Sequence, residues 1–406
     1  MRPVTPRGFR DVLFLEAAER RATAAAIGGV FSSWGYGFVE TPAVEEYDTL
    51  VTGAGGAFEH TAFRLFDLDG SLLALRPDMT LPIARMVSAR LTAEPGPYRI
   101  CYVADVFREQ ASLRGEARQF TQAGIELVGT NGPASDAEVV SILADSLAGA
   151  GLREFTVGLG TVAVLRALVE VAGGDATWRG AVMDAAHRRD LVRVERLTRE
   201  RGIDEAAGRA LRALPRISGG AEAMERCREL LEPAGCVPAL GTLEETWRLL
   251  EATHFTDRVR IDFGILRSLD YYTGLIVEAY APGLGVPLGG GGRYDEVLGS
   301  FGTPMPAAGF ALSIERVRIA LDEQGALPAV SLIDAVVGGQ DAEEVLQACA
   351  ALRASGSRVR AAAGATAAET VAQASAADAV TVLFASAGRL VRLADDGTEG
   401  EEVRLT

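Results

Sequence analysis

Polar side chains suited to binding a small charged ligand are concentrated in four separated segments of this chain. The segments are residues 75–80, 106–126, 266–274 and 289–316. The first presents a carboxylate, Asp78, and a hydroxyl, Thr80, just after a strand-like run. In the second, Gln122 and Glu126 are an even number of residues apart on one strand, so an amide and a carboxylate lie on the same face. Such groups provide hydrogen bonds and charge for recognising a polar ligand.

The other two segments add cationic, aromatic and glycine residues. Arg267, Tyr271 and Tyr272 lie in the third, and the fourth contains a glycine run, Gly289–Gly292, followed by Arg-Tyr-Asp. Each segment alone also fits an ordinary structural role, because Arg-Pro-Asp forms turns, paired tyrosines occur in half-buried strands and glycine runs are usually loops. Their occurrence together, in this order, favours a binding site.

Hydrophobic periodicity predicts the elements that position these segments. A helix over residues 10–31 is followed by short strands, another helix over 136–150, a strand over 155–159 and a helical insertion over about 161–250. Strands return after the insertion, then a glycine-rich loop and a helix over 313–324. The strands, expected to be antiparallel and to come from both sides of the insertion, are Phe38–Thr41, Arg64–Phe66, Leu72–Leu75, Tyr98–Val106, Phe120–Val128, Val259–Asp262 and Gly274–Tyr280.

Two domains are expected. Residues 1–325 form the larger one, including the insertion, and residues 331–406 alternate strand-like and helical runs typical of a small α/β domain. The smaller domain has six arginines and eleven acidic residues, a net charge of −5. A surface that reads tRNA is therefore not expected there.

Composition excludes several classes of site. The cysteines and the three histidines show no metal-ligand spacing, so neither a metal nor a cofactor is expected. The chain has no lysine, which excludes a Walker A lysine and a Schiff-base lysine. A net charge of −15 disfavours nucleic-acid binding. No apolar stretch long enough to span a membrane and no signal sequence occurs, so we expect a soluble cytoplasmic protein without membrane contact.

In this order, the segments closely resemble the catalytic core of histidyl-tRNA synthetases. Residues 35–42 resemble the first class II motif, 107–126 the second and 309–316 the third, and Leu269-Asp270-Tyr271-Tyr272-Thr273-Gly274 resembles the histidine-specific signature. The resemblance covers about residues 5–325. It implies an α+β fold of the class II aminoacyl-tRNA synthetase type, in which helices flank an antiparallel six-stranded sheet, and a dimer formed around the first motif.

The resemblance also implies a pocket for L-histidine. A zwitterionic amino acid requires carboxylates for its ammonium group, a guanidinium for its carboxylate and hydrogen-bonding groups for its ring. The expected histidine-binding residues are Asp78, Thr80, Arg108, Gln122, Glu126, Arg267, Tyr271 and Tyr272.

The second motif departs from that of working synthetases. They have Phe-Arg-x-Glu followed by Gly-Arg-x-Arg, whereas the acid's position here is Gln110 and the first arginine's is Glu116. An arginine at position 116 would attract a triphosphate, whereas the carboxylate of Glu116 repels it. This change costs several kcal/mol of binding free energy in a partly desolvated site. Losing one neutral hydrogen bond costs about 1 kcal/mol. Glu116 is therefore the stronger indication that aminoacylation is lost.

The form Asp78-Met79, together with the short acidic tail, resembles the non-catalytic paralogues that regulate short-form ATP phosphoribosyltransferase. This resemblance implies a subunit without catalytic residues, needed for activity of the short catalytic subunit and for feedback inhibition by histidine in the first step of histidine biosynthesis. It also implies a homodimer within a larger hetero-oligomer, and no tRNA partner. Two alternatives remain: an active histidyl-tRNA synthetase, because Arg267 and Arg316 are synthetase-like, and a histidine-sensing module for another partner.

Overall fold

The structure, a computed structural model, describes residues 4–54, 61–93, 96–109, 117–200, 202–253, 256–265 and 272–403. The chain divides into two compact units. One contains Met1–Asp11 and Thr23–Leu327, and the other contains Val12–Ala22 and Pro328–Thr406. In the described part of the chain, no helix is long and apolar enough to cross a membrane.

The elements that precede residue 327 are as follows. The strands are β1 (Gly37–Phe38), β2 (Val44–Glu46), β3 (Arg64–Phe66), β4 (Leu72–Leu75), β5 (Tyr98–Phe107), β6 (Gln119–Val128), β7 (Thr156–Thr161), β8 (Ser218–Gly219), β9 (Val259–Asp262), β10 (Leu275–Tyr280), β11 (Gly289–Arg293) and β12 (Ala307–Ser313). The helices are α1 (Phe14–Ser33), α2 (Tyr47–Ala54), α3 (Thr80–Arg90), α4 (Pro133–Gly149), α5 (Val162–Ala172), α6 (Ala176–His187), α7 (Leu191–Leu197), α8 (Glu205–Ala213), α9 (Ala221–Leu231), α10 (Gly241–Leu250) and α11 (Ile314–Glu323).

The largest sheet has the strand order β1-β5-β6-β12-β11-β10-β7-β9-β8. Its six middle strands, β5 to β7 in this order, are antiparallel to one another, as predicted, whereas β9 runs parallel to β7. One prediction about a short strand is wrong. The strand predicted over 38–41 is Gly37–Phe38 and runs parallel to β5. Strands β3 and β4 have the predicted bounds and are antiparallel to each other, and they form a separate sheet with β2, in the order β2-β4-β3.

The predicted glycine-rich loop is also wrong over Gly289–Arg293, which is the central strand β11. Glycine has a low intrinsic strand propensity, so a sequence-based prediction favours a loop. In the sheet, a Cβ on Gly291 would lie 2.0 Å from the carbonyl oxygen of Gly309 on β12. Tertiary packing therefore requires glycine where local propensity predicts a turn.

Strand β6 separates the hydrophobic core from the polar face of the sheet. Ile125 and Leu127 are fully buried in the core beside residues of α1 and α4. Because side chains alternate along a strand, Gln122, Gly124 and Glu126 point to the opposite face. The alternation of apolar and polar residues in this strand thus directs the polar groups away from the main core.

Residues 162–250, between β7 and β9, contain the helices α5 to α10. The first four begin after a capping side chain, Thr161, Asp175, Asp190 or Asp204, whose oxygen accepts a backbone N–H of the first turn. Such caps satisfy N–H groups that have no partner within the helix. The two-residue strand β8 pairs with β9 and connects this segment to the edge of the large sheet.

The second unit contains a five-stranded sheet with two helices. Its elements are β13 (Ala335–Gly339), α12 (Ala342–Ala354), β14 (Val359–Ala363), α13 (Ala367–Ala376), β15 (Thr381–Ser386), β16 (Arg389–Leu393) and β17 (Glu399–Glu402). The strand order is β14-β13-β15-β16-β17, with β13 parallel to both of its neighbours. The strand-like runs that the sequence predicts here, over 335–337, 380–384 and 390–393, correspond to β13, β15 and β16, whereas the alanine-rich β14 and the acidic β17 were not predicted.

Candidate functional site

A cavity of about 130 Å³ lies on the polar face of the large sheet. It is bounded by the beginning of α3, the end of β5 and the strands β6, β10, β11 and β12. Six residues predicted from the sequence line it: Asp78, Thr80, Arg108, Gln122, Glu126 and Tyr272. The other two predicted residues, Arg267 and Tyr271, lie outside the described residues.

Glu126 is a deeply buried carboxylate of the cavity, with 1% of its surface exposed. Its Oε1 accepts a hydrogen bond from the Thr80 hydroxyl at 2.9 Å, and its Oε2 accepts one from the Tyr294 hydroxyl. Burial raises the pKa of Glu126 to about 8, although the two hydrogen bonds oppose the shift. A large fraction of this carboxyl group is therefore protonated at neutral pH, when no cation lies beside it.

Asp78 lies at the beginning of α3. The backbone N–H of Leu81 donates to its Oδ1 at 3.4 Å, so the carboxylate faces the partial positive charge of the helix N-terminus. Burial raises the pKa of Asp78, and the nearby positive charge of Arg108 opposes this. Asp78 and Glu126 thus place two buried carboxyl groups in one cavity, which favours a ligand carrying positive charge.

Arg108 directly follows β5 and is held in place on two sides. Its Nε donates to the carbonyl oxygen of Pro77 at 2.7 Å, and its guanidinium lies 5.3 Å from the centre of the Phe120 ring. Arg76 fixes the segment before Asp78, because its guanidinium donates to backbone carbonyl oxygens of Thr41, Pro42 and Asp105. The guanidinium of Arg108 therefore has a defined position from which to bind a carboxylate.

Glycines allow the polar side chains to lie flat across neighbouring strands. A Cβ on Gly309 would lie 2.0 Å from Oε2 of Glu126, and a Cβ on Gly124 would lie 2.5 Å from the hydroxyl of Tyr102. A larger residue at either position would displace the site side chain above it. Close approach to a functional side chain explains these two glycines.

Two buried polar atoms beside the cavity, Gln122 Oε1 and the Tyr102 hydroxyl, have no hydrogen-bond partner among the described residues. Buried polar groups are usually paired, and leaving one unpaired costs about 1–3 kcal/mol. Tyr102 was not predicted as a site residue. Its position opposite Gly124 in the β5–β6 register could have indicated it.

Arg293 and Tyr294 are adjacent in the chain, but their side chains contact residues on opposite faces of the sheet. Tyr294 donates to Glu126, whereas Arg293 donates to Asp136 of α4 at 2.7 Å and to the Ser135 hydroxyl. Arg293 and Asp136 are both almost fully buried. This ion pair anchors the end of β11 and so fixes the residue that contacts Glu126.

Sequence analysis did not identify Glu278 and Arg316 of the cavity wall, or Tyr294, which contacts Glu126, as site residues. Glu278 lies on β10, Tyr294 follows β11, and Arg316 lies in the first turn of α11. Tyr294 and Arg316 occur within recognised motifs, and the spacing of Ile276 and Glu278 places both on one strand face. Among the described residues, no group of His, Cys, Asp and Glu is arranged to hold a metal ion.

Comparison with known proteins matches this architecture to one family. A profile of the histidyl-tRNA synthetase family matches residues 8–317. Proteins named ATP phosphoribosyltransferase regulatory subunit are 39% identical in Moorella thermoacetica and 40% in Symbiobacterium thermophilum, each over 87% of this chain and 90% of its own length. The chain belongs to the family of ATP phosphoribosyltransferase regulatory subunits.

A solved structure supports the fold of this regulatory-subunit family across nearly the whole chain. The ATP phosphoribosyltransferase regulatory subunit/histidyl-tRNA synthetase of Bacillus halodurans superposes with a TM-score of 0.81 at 28% identity, over 95% of this chain and 99% of its own. The predicted resemblance and the predicted α+β, class II synthetase-like fold are confirmed.

Gln110 and Glu116, the two positions at which the second motif of this regulatory-subunit family member differs from that of synthetases, lie outside the described residues. The structure describes the residues on both sides of this gap. Arg118 at one end donates to the carboxylate of Glu109 at the other, and its guanidinium lies 4.7 Å from the centre of the Phe63 ring. The backbone N–H of Arg118 also donates to the carbonyl oxygen of Gly8 at 2.8 Å. The charge of Arg118 is therefore engaged within the protein.

Proposed function

We propose that this chain binds L-histidine in the cavity between Asp78 and Glu126 and acts as the regulatory subunit of a short-form ATP phosphoribosyltransferase. In this role it is required for activity of the catalytic subunit and transmits feedback inhibition by histidine. The observation that carries the proposal is that six residues, distant in sequence, line one cavity. The names of the relatives support the catalytic subunit as partner.

The chemistry of the cavity suits a zwitterionic amino acid with a polar ring. Asp78 and Glu126 supply negative charge for an ammonium group, and Arg108 supplies positive charge for a carboxylate. Gln122 Oε1, buried and without a partner among the described residues, is a ready acceptor for a ligand N–H. Arg267 and Tyr271 are included among the proposed histidine-binding residues only because their sequence motif resembles that of histidyl-tRNA synthetases.

We further propose that the chain does not aminoacylate tRNA. Glu116 replaces an arginine that would face a triphosphate, and opposite charges become like charges there. The neighbouring Arg118 is paired with Glu109 and packed on Phe63, which leaves less positive charge for a nucleotide. The rival function, histidyl-tRNA synthetase activity, is favoured by Arg316 in the cavity wall.

A homodimer is part of the proposal. The resemblance places the dimer contact around residues 35–42, and in the structure Phe38 is 53% exposed and Val103 is 36% exposed at that edge of the large sheet. Both line an open groove with small residues of α1, including Ala24 and Gly28. An exposed apolar patch beside a sheet edge is suited to burial against a second copy.

Histidine would regulate the assembly by shifting a two-state equilibrium. Histidine would not act by ordering residues 289–293, because Gly289–Arg293 is a central strand. The contact between Tyr294 and Glu126 is the better point of coupling, since a ligand that binds Glu126 competes with the tyrosine. Linkage then requires that whatever stabilises the active form weakens histidine binding.

Calorimetric titration tests the ligand. The full chain is expected to bind histidine, and Asp78→Ala and Glu126→Ala are expected to abolish binding, whereas Glu170→Ala, on the exposed face of α5, is expected to bind like the wild type. Absence of binding by the wild-type chain at millimolar histidine would refute the proposed ligand.

Two activity assays test the role. A short ATP phosphoribosyltransferase from the same source is expected to be inactive alone, to become active when this chain is added, and to be inhibited by histidine only in the mixture. No histidine-dependent ATP–pyrophosphate exchange is expected. Robust exchange without effect on the phosphoribosyltransferase would instead establish the synthetase.

A further inference from the structure

Arg189, in the turn between α6 and α7, places its guanidinium beside a residue of the cavity wall. Arg189 lies in this turn with φ of 56°, the left-handed region that residues with a Cβ rarely adopt. The turn is closed by a hydrogen bond of 2.9 Å from the Arg189 N–H to the carbonyl oxygen of Ala186. Together with a hydrogen bond of 2.8 Å from the Asp190 N–H to the carbonyl oxygen of Ala185, this is the ordinary left-handed end of a helix, and it fixes where the Arg189 side chain leaves the backbone.

The side chain of Arg189 pairs with Glu278 of β10. Its Nη2 lies 3.5 Å from Oε2 of Glu278, and only 1% of the Glu278 side chain is exposed. The Tyr280 hydroxyl donates to the same carboxylate oxygen. Asp262 of β9 adds a second negative charge close enough to act on the guanidinium of Arg189.

Glu278 is at the same time part of the cavity wall. It lies opposite Gly290 of β11, and Arg316 is part of the same wall. A buried carboxylate acts strongly on a ligand charge because the surrounding dielectric constant is low. Whether this wall repels or tolerates a ligand carboxylate therefore depends on the cation that pairs with Glu278.

We propose that Arg189, a residue of the helical segment outside the cavity, determines the charge selectivity of the site by neutralising Glu278. The pair lowers the negative potential that Glu278 adds to the cavity, and this potential acts on a ligand carboxylate bound at Arg108. The assignment rests on the proposed function, since it assumes an amino acid in this cavity. Arg189 acts through Glu278 and is a positioning residue.

Binding of L-histidine and of L-histidinol, which lacks the carboxylate, tests this assignment. In Arg189→Met, the affinity for histidine is expected to fall on the order of tenfold relative to histidinol, the effect of two unit charges about 12 Å apart at an effective dielectric constant near 20. Glu278→Gln in the Arg189→Met background is expected to restore the ratio, and Arg189→Lys to preserve it. Both dissociation constants are measured by calorimetry at one pH and ionic strength.

The comparison of two ligands separates selectivity from structural damage. Arg193→Met removes an ion pair with Asp184 (2.9 Å) in the same helical segment and is expected to leave the ratio unchanged. If Arg189→Met weakens the binding of both ligands equally, or leaves the ratio of the two dissociation constants unchanged in any other way, the role of Arg189 is overturned while the proposed function stands. A wild-type chain that binds neither ligand would overturn the proposed function and this assignment together.

Discussion

Replacement of Glu126 by glutamine should make the chain more stable at alkaline pH while weakening ligand binding. The carboxyl group is buried and accepts hydrogen bonds from Thr80 and Tyr294. Glutamine has nearly the same size, its carbonyl oxygen can accept from the tyrosine, and its amide can donate to the threonine hydroxyl. The main change is therefore the loss of a group that ionises in a buried position.

The magnitude follows from the pKa of Glu126, which burial raises from the ordinary value of 4.5 to about 8. A carboxyl group whose pKa is raised on folding holds its proton more tightly in the folded chain than in the unfolded chain. The Glu126 carboxyl group therefore leaves the free energy of unfolding unchanged below pH 4.5 and lowers it as the pH rises from 4.5 to 8. Between pH 5 and pH 8 the loss is about 3 kcal/mol, since one pKa unit corresponds to about 1.4 kcal/mol.

Urea denaturation at pH 5 and pH 8, at one chain concentration, measures the effect. The free energy of unfolding of Glu126→Gln minus that of the wild type is expected to increase by about 3 kcal/mol from pH 5 to pH 8. Glu170→Gln, at a glutamate whose side chain is 75% exposed, is the control and should show no such increase. A difference that stays constant with pH for Glu126→Gln would show that folding does not raise this pKa, and would refute the reasoning.

Three further outcomes follow from the packing. Arg293→Met leaves the buried Asp136 carboxylate unpaired and should lower the free energy of unfolding by about 3–5 kcal/mol, and Asp136→Asn in the same chain should recover part of it. Arg179→Met breaks an exposed ion pair and should cost less than about 1 kcal/mol. Gly124→Ala should lower Tm, because its Cβ would meet a backbone oxygen at 2.3 Å, whereas Gly180→Ala, on an open face of α6, should raise it slightly.

The alternation in β6 and the spacing of the motifs allowed six polar side chains of the cavity wall to be predicted from the sequence. Gln122 and Glu126 lie on one face because strand geometry has a period of two, whatever the rest of the fold. Asp78 and Thr80 were predicted from their motif, whereas the helix α3, at whose beginning they lie, was not predicted. The capped helices after β7 likewise follow from nearby residues, because capping groups and helical periodicity act within a few positions.

Contacts between distant segments decided the rest. Local propensity predicts a loop at Gly289–Arg293, yet the backbones of β10 and β12 on either side make it a strand, since only glycine fits there. Arg189 and Glu278 are brought together by the way the helical segment packs on the sheet. Sequence periodicity predicts which face of a helix or strand a side chain occupies. The residue that the side chain contacts on a neighbouring element depends on how the elements pack. Only the tertiary structure shows that contact.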